Sequence, residues 1–250
     1  MAGKKERQRR LARERYQRRL GRQAQRAHRM RQWTVIGFVA VIVIALAVGG
    51  AVVAARSLAA PSDHCTYTKS GTAARKVNLP PSTADPSATY KATINTNRGS
   101  IVIDLLNSKA TCTVNSFVSL TDQGFYSSSP CFRLSNSSDL YILQCGDPTG
   151  TGSGGPGYKF ASENLTGATY PAGTLAMANT GVADSNGSQF FLVYARSDLP
   201  PHYTPFGKIV SGLTILQAVG KAGYGPPLNS AGGGAPKENV KIESVTINQT

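Results

Sequence analysis

The sequence predicts a mainly β domain, a closed antiparallel barrel with two helices, carried behind one membrane-spanning helix. Three observations lead there. Positive charge is concentrated at one end, a 23-residue stretch carries no charge, and the remainder strings short apolar segments between Gly/Pro turns. Many short strands with only two helical patterns argue against an alternating α/β fold.

The charge comes first in the chain. Net charge is +14 over 250 residues, but residues 1–31 hold 13 Lys/Arg against Glu6 and Glu14, and the other residues hold 14 bases against 11 acids. The chain is therefore a nearly neutral protein with a basic tail. Its high overall pI is not a nucleic-acid signal. The tail has one aromatic, Tyr16, and no recognition motif. It reads as a topology signal attracted to anionic lipid, and no nucleic-acid partner is expected.

Trp33–Ala55 is the uncharged stretch. A helix of that length reaches about 35 Å, enough to span a bilayer core. Trp33 suits the headgroup level at one end and Arg56 closes the other. A cleaved signal peptide would have a shorter basic region, a shorter apolar core and a small-x-small site, whereas Leu58 precedes Ala60 by two. The basic flank places residues 1–32 in the cytoplasm and everything after Arg56 outside. Residues 56–88, with Pro61, Pro80, Pro81 and Pro86 among Ser, Thr and Ala, read as a stalk. The folded domain is expected over 89–250.

Within it, Tyr90–Ile94 alternates apolar and polar residues as a half-buried strand, and Asn97-Arg98-Gly99 turns the chain into a second strand, Ser100–Leu106. Thr113 is the expected cap of a helix whose apolar face carries Val114, Phe117 and Val118, with Gly124 as its stop. Short strands follow near 131–134, 140–145, 173–178 and 189–194. Leu213, Ile215, Leu216 and Val219 predict a second helix over 212–221. The last strand is 239–247, and its apolar phase shift predicts a bulge near Glu243-Ser244.

Cys65, Cys112, Cys131 and Cys145 all lie on the outer side of the expected span. An even number in an oxidising compartment suggests disulfides. Four cysteines allow three pairings and spacing does not choose among them; the expectation is Cys112 with Cys131. No metal site is expected, since no cysteine pair has zinc-knuckle spacing and the three histidines are scattered. Gly150–Gly155 formally matches GxGxxG, but Pro156-Gly157 follows instead of a helix, so it reads as a surface loop. A Ser-His-Asp hydrolase is disfavoured: only His202 lies in the expected domain, and no Ser occupies a Gly-x-Ser-x-Gly turn.

Three segments carry the functional signal. They are Cys131-Phe132-Arg133-Leu134 with Leu143-Gln144-Cys145-Gly146-Asp147; Gly173 through Met177-Ala178-Asn179; and Asn186-Gly187-Ser188-Gln189-Phe190-Phe191-Leu192. In order and spacing they resemble the cyclophilin-type peptidyl-prolyl cis-trans isomerases, in their membrane-anchored bacterial form. Pro205–Ile209 resembles the strand before that family's second helix. The resemblance covers about residues 89–250 and implies an eight-stranded barrel capped by two helices. It implies Arg133 as the catalytic residue. Tyr141, Ile142, Phe191 and Leu199 are implied as walls of a proline pocket, with Tyr203 at its rim. Gln144 is implied beside the arginine, and Ala178, Asn179 and Gln189 as contacts to the peptide backbone.

The residue types suit the reaction. A prolyl bond resists rotation by about 18–20 kcal/mol because its C–N bond is partly double. No bond breaks, so neither nucleophile nor cofactor is implied. A guanidinium aimed at the pyramidal nitrogen of a twisted amide would favour that state over either planar form.

The sequence also departs from the family. Phe132 stands where a His is common, and three extra residues lie between Arg133 and Gln144, in the polar run Ser135–Leu140. Asp198 stands where a ligand-binding Trp is frequent, which predicts weak cyclosporin binding. The implied function is isomerisation of Xaa-Pro bonds in exported or cell-surface proteins. The altered 135–140 loop keeps one alternative open, a tethered proline-peptide binding or chaperone module with weak catalysis.

Overall fold

The computed structural model describes residues 63–137, 139–227 and 232–250. The basic tail, the expected span 33–55 and the start of the expected stalk lie outside the described residues. Among the described residues no helix is long and apolar enough to cross a membrane.

The core of the fold is one eleven-stranded sheet. Its strands are β4 (Tyr90–Thr96), β5 (Gly99–Leu105), β6 (Ser129–Pro130), β7 (Arg133–Ser137), β8 (Leu140–Cys145), β10 (Thr174–Met177), β11 (Phe190–Val193), β12 (Pro205–Ser211), β13 (Tyr224–Pro227), β14 (Gly234–Pro236) and β15 (Lys241–Gln249). They follow the order β13-β14-β7-β8-β11-β10-β12-β5-β4-β15-β6. Eight of them, β7 through β15 in that order, form the run expected of the barrel, but the ladder has two ends and does not close by strand pairing. The chain itself links the ends of that run. β6 pairs with β15, Cys131 donates its N–H to the Val240 carbonyl, and two residues later the same segment becomes β7 beside β8.

Alternation sets the two faces. In β4 and β5 the residues Ala92, Ile94, Ile101 and Ile103 point inward, with Ala92 opposite Ile103 and Ile94 opposite Ile101. Helix α1 (Thr111–Asp122) lays Val114, Phe117 and Leu120 on that core. The Phe117 ring meets Tyr126, Phe190 and Phe206 at 5.2–5.7 Å. Helix α2 (Leu213–Ala222) buries Leu216 and Val219. Gly124 ends the expected first helix, and the expected bulge in β15 falls between Ile242 and Ser244.

Besides closure of the barrel, three expectations fail here. Thr113 does not cap α1, which begins two residues earlier and has no side-chain cap of its own. Its unpaired N–H groups are satisfied from outside: the Glu163 carboxylate accepts from the amides of Cys112 (3.1 Å) and Thr113 (2.7 Å) and from the Thr113 hydroxyl (2.6 Å). Residues 63–88 are not a free stalk. They include β1 (Asp63–His64), β2 (Thr68–Lys69) and β3 (Thr83–Ala84), and they lie against the domain. β1 pairs with β3, and β2 pairs with β9 (Tyr158–Lys159). The Asn107 side chain donates to the carbonyls of Asp85 and Ala88.

The third correction is the disulfide pairing, which is Cys65–Cys112 and Cys131–Cys145. Cys131 does not reach Cys112 because the β7–β8 hairpin sets its partner. Arg133 faces Gln144, so Cys131 comes alongside Cys145 with the Cα atoms 4.0 Å apart. Cys112, at the start of α1, is left facing the segment at residue 65.

Candidate active site

Strand period determines which residues share the site. In β8, Ile142 joins a small apolar cluster with Ala176, Phe191, Val193 and Tyr170, whereas Leu143 and Cys145 belong to the main core. In β11 the odd positions Phe191 and Val193 face that small cluster and Phe190 and Leu192 face the core. Cross-strand register then aligns one row across four strands: Arg133 opposite Gln144, Gln144 opposite Phe191, Phe191 opposite Ala176. The row runs from a cation through an amide to an aromatic ring and a methyl group. Arg133 and Phe191 stand two strand spacings apart, about 10 Å at the backbone.

The polar end is held by a relay of side chains. Arg133 donates from Nη1 to Gln144 Oε1 at 3.0 Å and from Nε to the Gly232 carbonyl at 2.8 Å. Gln144 donates from Nε2 to Gln189 Oε1 at 2.9 Å, and Gln189 donates from Nε2 to the carbonyls of Gly152 and Gly154, each at 2.9 Å. Burial lowers the Arg133 pKa from its ordinary value, and the nearby Tyr203 phenol opposes that shift. A guanidinium stays charged regardless, so the site presents a fixed, partly desolvated cation.

Loop 147–157 folds around one buried carboxylate. Asp147 accepts from the amides of Thr149 (2.8 Å), Gly152 (2.8 Å) and Gly154 (3.0 Å) and from the Thr149 hydroxyl (2.7 Å). Desolvation penalises its charge, but these bonds outweigh that penalty and hold its pKa below the usual carboxylate value. Gly154 is required, because a Cβ there would fall 2.0 Å from the Asp147 carboxylate. The glycine-rich stretch thus serves a carboxylate of its own chain.

The apolar end is built from Phe191, Ile142 and Val193, with Leu199, Ala178 and Tyr203 packed around them. The Phe191 and Tyr203 rings meet edge to face at 5.5 Å. Ala178 donates its N–H to the Gln189 carbonyl, and Asn179 donates from its side chain to the His202 carbonyl at 2.8 Å. Arg133, Ile142, Gln144, Ala178, Gln189, Phe191, Leu199 and Tyr203 thus converge on one face, and Asn179 is tied to the His202 loop at its rim.

Tyr141 does not join them. It lies on the core face of β8, against Tyr194 at 5.9 Å. The hairpin pairs Ser137 with Leu140, which fixes the phase so that Ile142 and Gln144, not Tyr141, face the pocket. Sequence reading missed Tyr170. Its ring lies 6.3 Å from Phe191, and its hydroxyl donates to the Tyr203 carbonyl (2.8 Å) while accepting from the Tyr203 amide (3.1 Å). Tyr170 sits before Pro171 in a loop with no periodicity, so no pattern pointed to it. Loop 147–157 was legible only as a glycine-rich loop.

A β sheet capped by two helices, with an arginine facing an aromatic pocket across its strands, defines the class as cyclophilin-like. The profile of the family described as "Cyclophilin type peptidyl-prolyl cis-trans isomerase/CLD" matches residues 91–247, and the chain belongs to that family. It is 46% identical over 203 residues to a Mycobacterium leprae protein named "Probable peptidyl-prolyl cis-trans isomerase B", covering 74% of this chain and 66% of that one. It is 44% identical to the protein of the same name in Mycobacterium tuberculosis H37Rv, covering 74% of this chain and 64% of that one. The chain thus spans just under two thirds of the length of these relatives. A Cryptosporidium parvum cyclophilin-type isomerase, crystallised in the presence of the dipeptide Ala-Pro, superposes with a TM-score of 0.55 at 28% identity. That match covers 64% of this chain and 99% of that chain.

Proposed function

We propose that the chain catalyses cis-trans isomerisation of Xaa-Pro bonds in polypeptides outside a membrane, with Arg133 stabilising the twisted amide. The observation that carries the reading is the row Arg133, Gln144, Phe191, Ala176 across four adjacent strands. A pyrrolidine ring seated on Phe191 holds the proline still. The carbonyl on its N-terminal side is then free to rotate while a charged donor faces the nitrogen as it turns pyramidal. That interaction exists only in the twisted state, so it lowers the barrier and not merely the free energy of binding. Gln144 holds the guanidinium in plane, and Gln189 and Ala178 line the path of the peptide backbone. Family membership and the names of both mycobacterial relatives support the isomerase reading.

The span 33–55 and the basic tail support membrane anchoring, with residues 1–32 in the cytoplasm on anionic lipid and the β domain outside. The clients are then exported or surface proteins whose folding waits on proline. Asp198 carries a side chain 71% exposed to solvent and paired only loosely with Arg196, and it offers no indole to a cyclic peptide.

The test is the 250-residue chain in detergent, assayed for exchange of an Ala-Pro peptide by NMR beside Arg133→Ala. Accelerated exchange that the variant loses by about two orders of magnitude supports the reading. A folded chain that binds the peptide without accelerating exchange replaces it with a tethered binding module. Protease digestion of intact cells, with antibodies to each end of the chain, tests the topology.

A further inference from the structure

Residues 63–78 form a strap that is separate from the main sheet yet tied to the loop behind the active site. β9 has its only strand partner, among the described residues, in β2 of the strap, with Thr68 opposite Lys159 and Lys69 opposite Tyr158. Beyond β2 the strap continues along loop 147–157. Ser70 donates its N–H to the Gly157 carbonyl at 2.9 Å, and Ala74 donates to the Gly155 carbonyl at 2.8 Å. Contact is close enough that a Cβ on Gly157 (φ +78°) would lie 3.1 Å from Ala73.

The strap is anchored at both ends of α1. Cys65 is bonded to Cys112 at the start of the helix, where Tyr67 also donates its hydroxyl to the Cys112 carbonyl at 2.7 Å. The Tyr67 ring stands edge to face on Tyr158 and Phe160, both at 5.6 Å. At the far end of α1, Arg75 donates to the carbonyls of Gly124, Phe125 and Ser127. The inner side of the same loop carries the two carbonyls, Gly152 and Gly154, that receive Gln189. Two sets of hydrogen bonds, strap to loop and loop through Gln189 and Gln144 to Arg133, are therefore joined by the loop backbone between Gly152 and Gly157.

We propose that the strap is a positioning element of the active site, holding the Arg133 guanidinium through loop 147–157, Gln189 and Gln144, with Cys65–Cys112 as the lock that keeps it seated. The proposal rests on the isomerase reading for its catalytic consequence and on geometry for its structural one. A loosened strap frees Gly155 and Gly157, lets the Gly152 and Gly154 carbonyls drift, and costs Gln144 its fixed orientation. Because the guanidinium acts on the twisted amide, the loss falls on kcat more than on KM.

The test uses the 250-residue chain in detergent, with two independent variants. Cys65→Ala/Cys112→Ala opens the lock. Ala74→Pro deletes the donor to Gly155 and leaves both disulfides intact, so it carries the test alone if the first variant does not fold. Each should lose about 3- to 10-fold in kcat with KM changed less than about twofold. In a Gln189→Ala background the same changes should cost nothing further, whereas a general loss of stability would act equally in both backgrounds. Full kcat in both variants, or equal losses with and without Gln189, overturns the proposal. An inactive parent chain defeats the isomerase reading alone. The side-chain amide NMR signals of Gln144 and Gln189 then decide: signals displaced in both strap variants uphold the positioning role, and unmoved signals end it.

Discussion

Replacing Arg133 with Lys separates charge from geometry. The guanidinium donates from Nη1 to Gln144 Oε1 at 3.0 Å and from Nε to the Gly232 carbonyl at 2.8 Å. A Lys ammonium keeps the charge but is one point on a flexible chain, and it cannot satisfy both acceptors while facing the pocket. Hydrogen bonds from charged donors are worth about 1.5–3 kcal/mol. Losing one of them and the aim it secures should cost about 2–3 kcal/mol in the transition state, or about 30- to 150-fold in kcat. Folding should hardly change, because Arg133 is only half-buried and Lys can carry its ammonium outward. The assay is NMR exchange on an Ala-Pro peptide, with urea unfolding alongside. A Lys variant within threefold of the parent would show that charge alone suffices, and the argument from the Gln144 and Gly232 contacts would be wrong.

Three further outcomes are expected. Tyr170→Phe removes the hydroxyl that both donates to and accepts from the Tyr203 backbone, so it should cost about 1–3 kcal/mol of stability in urea and raise KM more than it lowers kcat. Asp147 has a folded pKa below its ordinary 3.8, so its contribution is present above that value and is lost as pH falls through the lower folded value. Amide exchange in loop 147–157 should therefore accelerate on acidification from about pH 5 to about pH 2, and Asp147→Asn should abolish that dependence. Cyclosporin should bind more weakly than about 1 μM by calorimetry, since its surface would meet the exposed Asp198 where an indole would stack.

What was legible in the sequence is what period and motif encode. Alternation in Tyr90–Ile94 gave that strand and its two faces, and the phase shift in the last strand located its bulge. What was not legible depends on distance across the chain. The β7–β8 turn is polar and lacks a Pro-Gly pair, so the register that pairs Cys131 with Cys145 and turns Tyr141 to the core could not be read from it. The strap has the Ser, Thr and Gly content of a linker, and its anchors, Cys65, Tyr67 and Arg75, are too irregularly spaced to show a face. Glu163 caps a helix 50 residues earlier in the chain, a partnership that no local rule detects.

The same geometry explains why the site needs support from outside its strands. Phe191 and Ile142 are fixed by packing, because a buried ring among buried neighbours has few places to go. Arg133 is only half-buried. It lies on β7, near the edge of the eight-strand run, with only two short strands beyond it in the sheet. Its long side chain would lose rotamer entropy on being held still. The relay through Gln144 and Gln189 supplies the restraint with neutral amides, which orient a cation without neutralising it. A carboxylate at position 144 would hold the guanidinium more tightly, but it would offset the charge that the twisted amide requires. Glutamine there keeps the field and fixes its direction. The relay ends on backbone carbonyls of a loop that is itself fastened by Asp147 on one side and by the strap on the other.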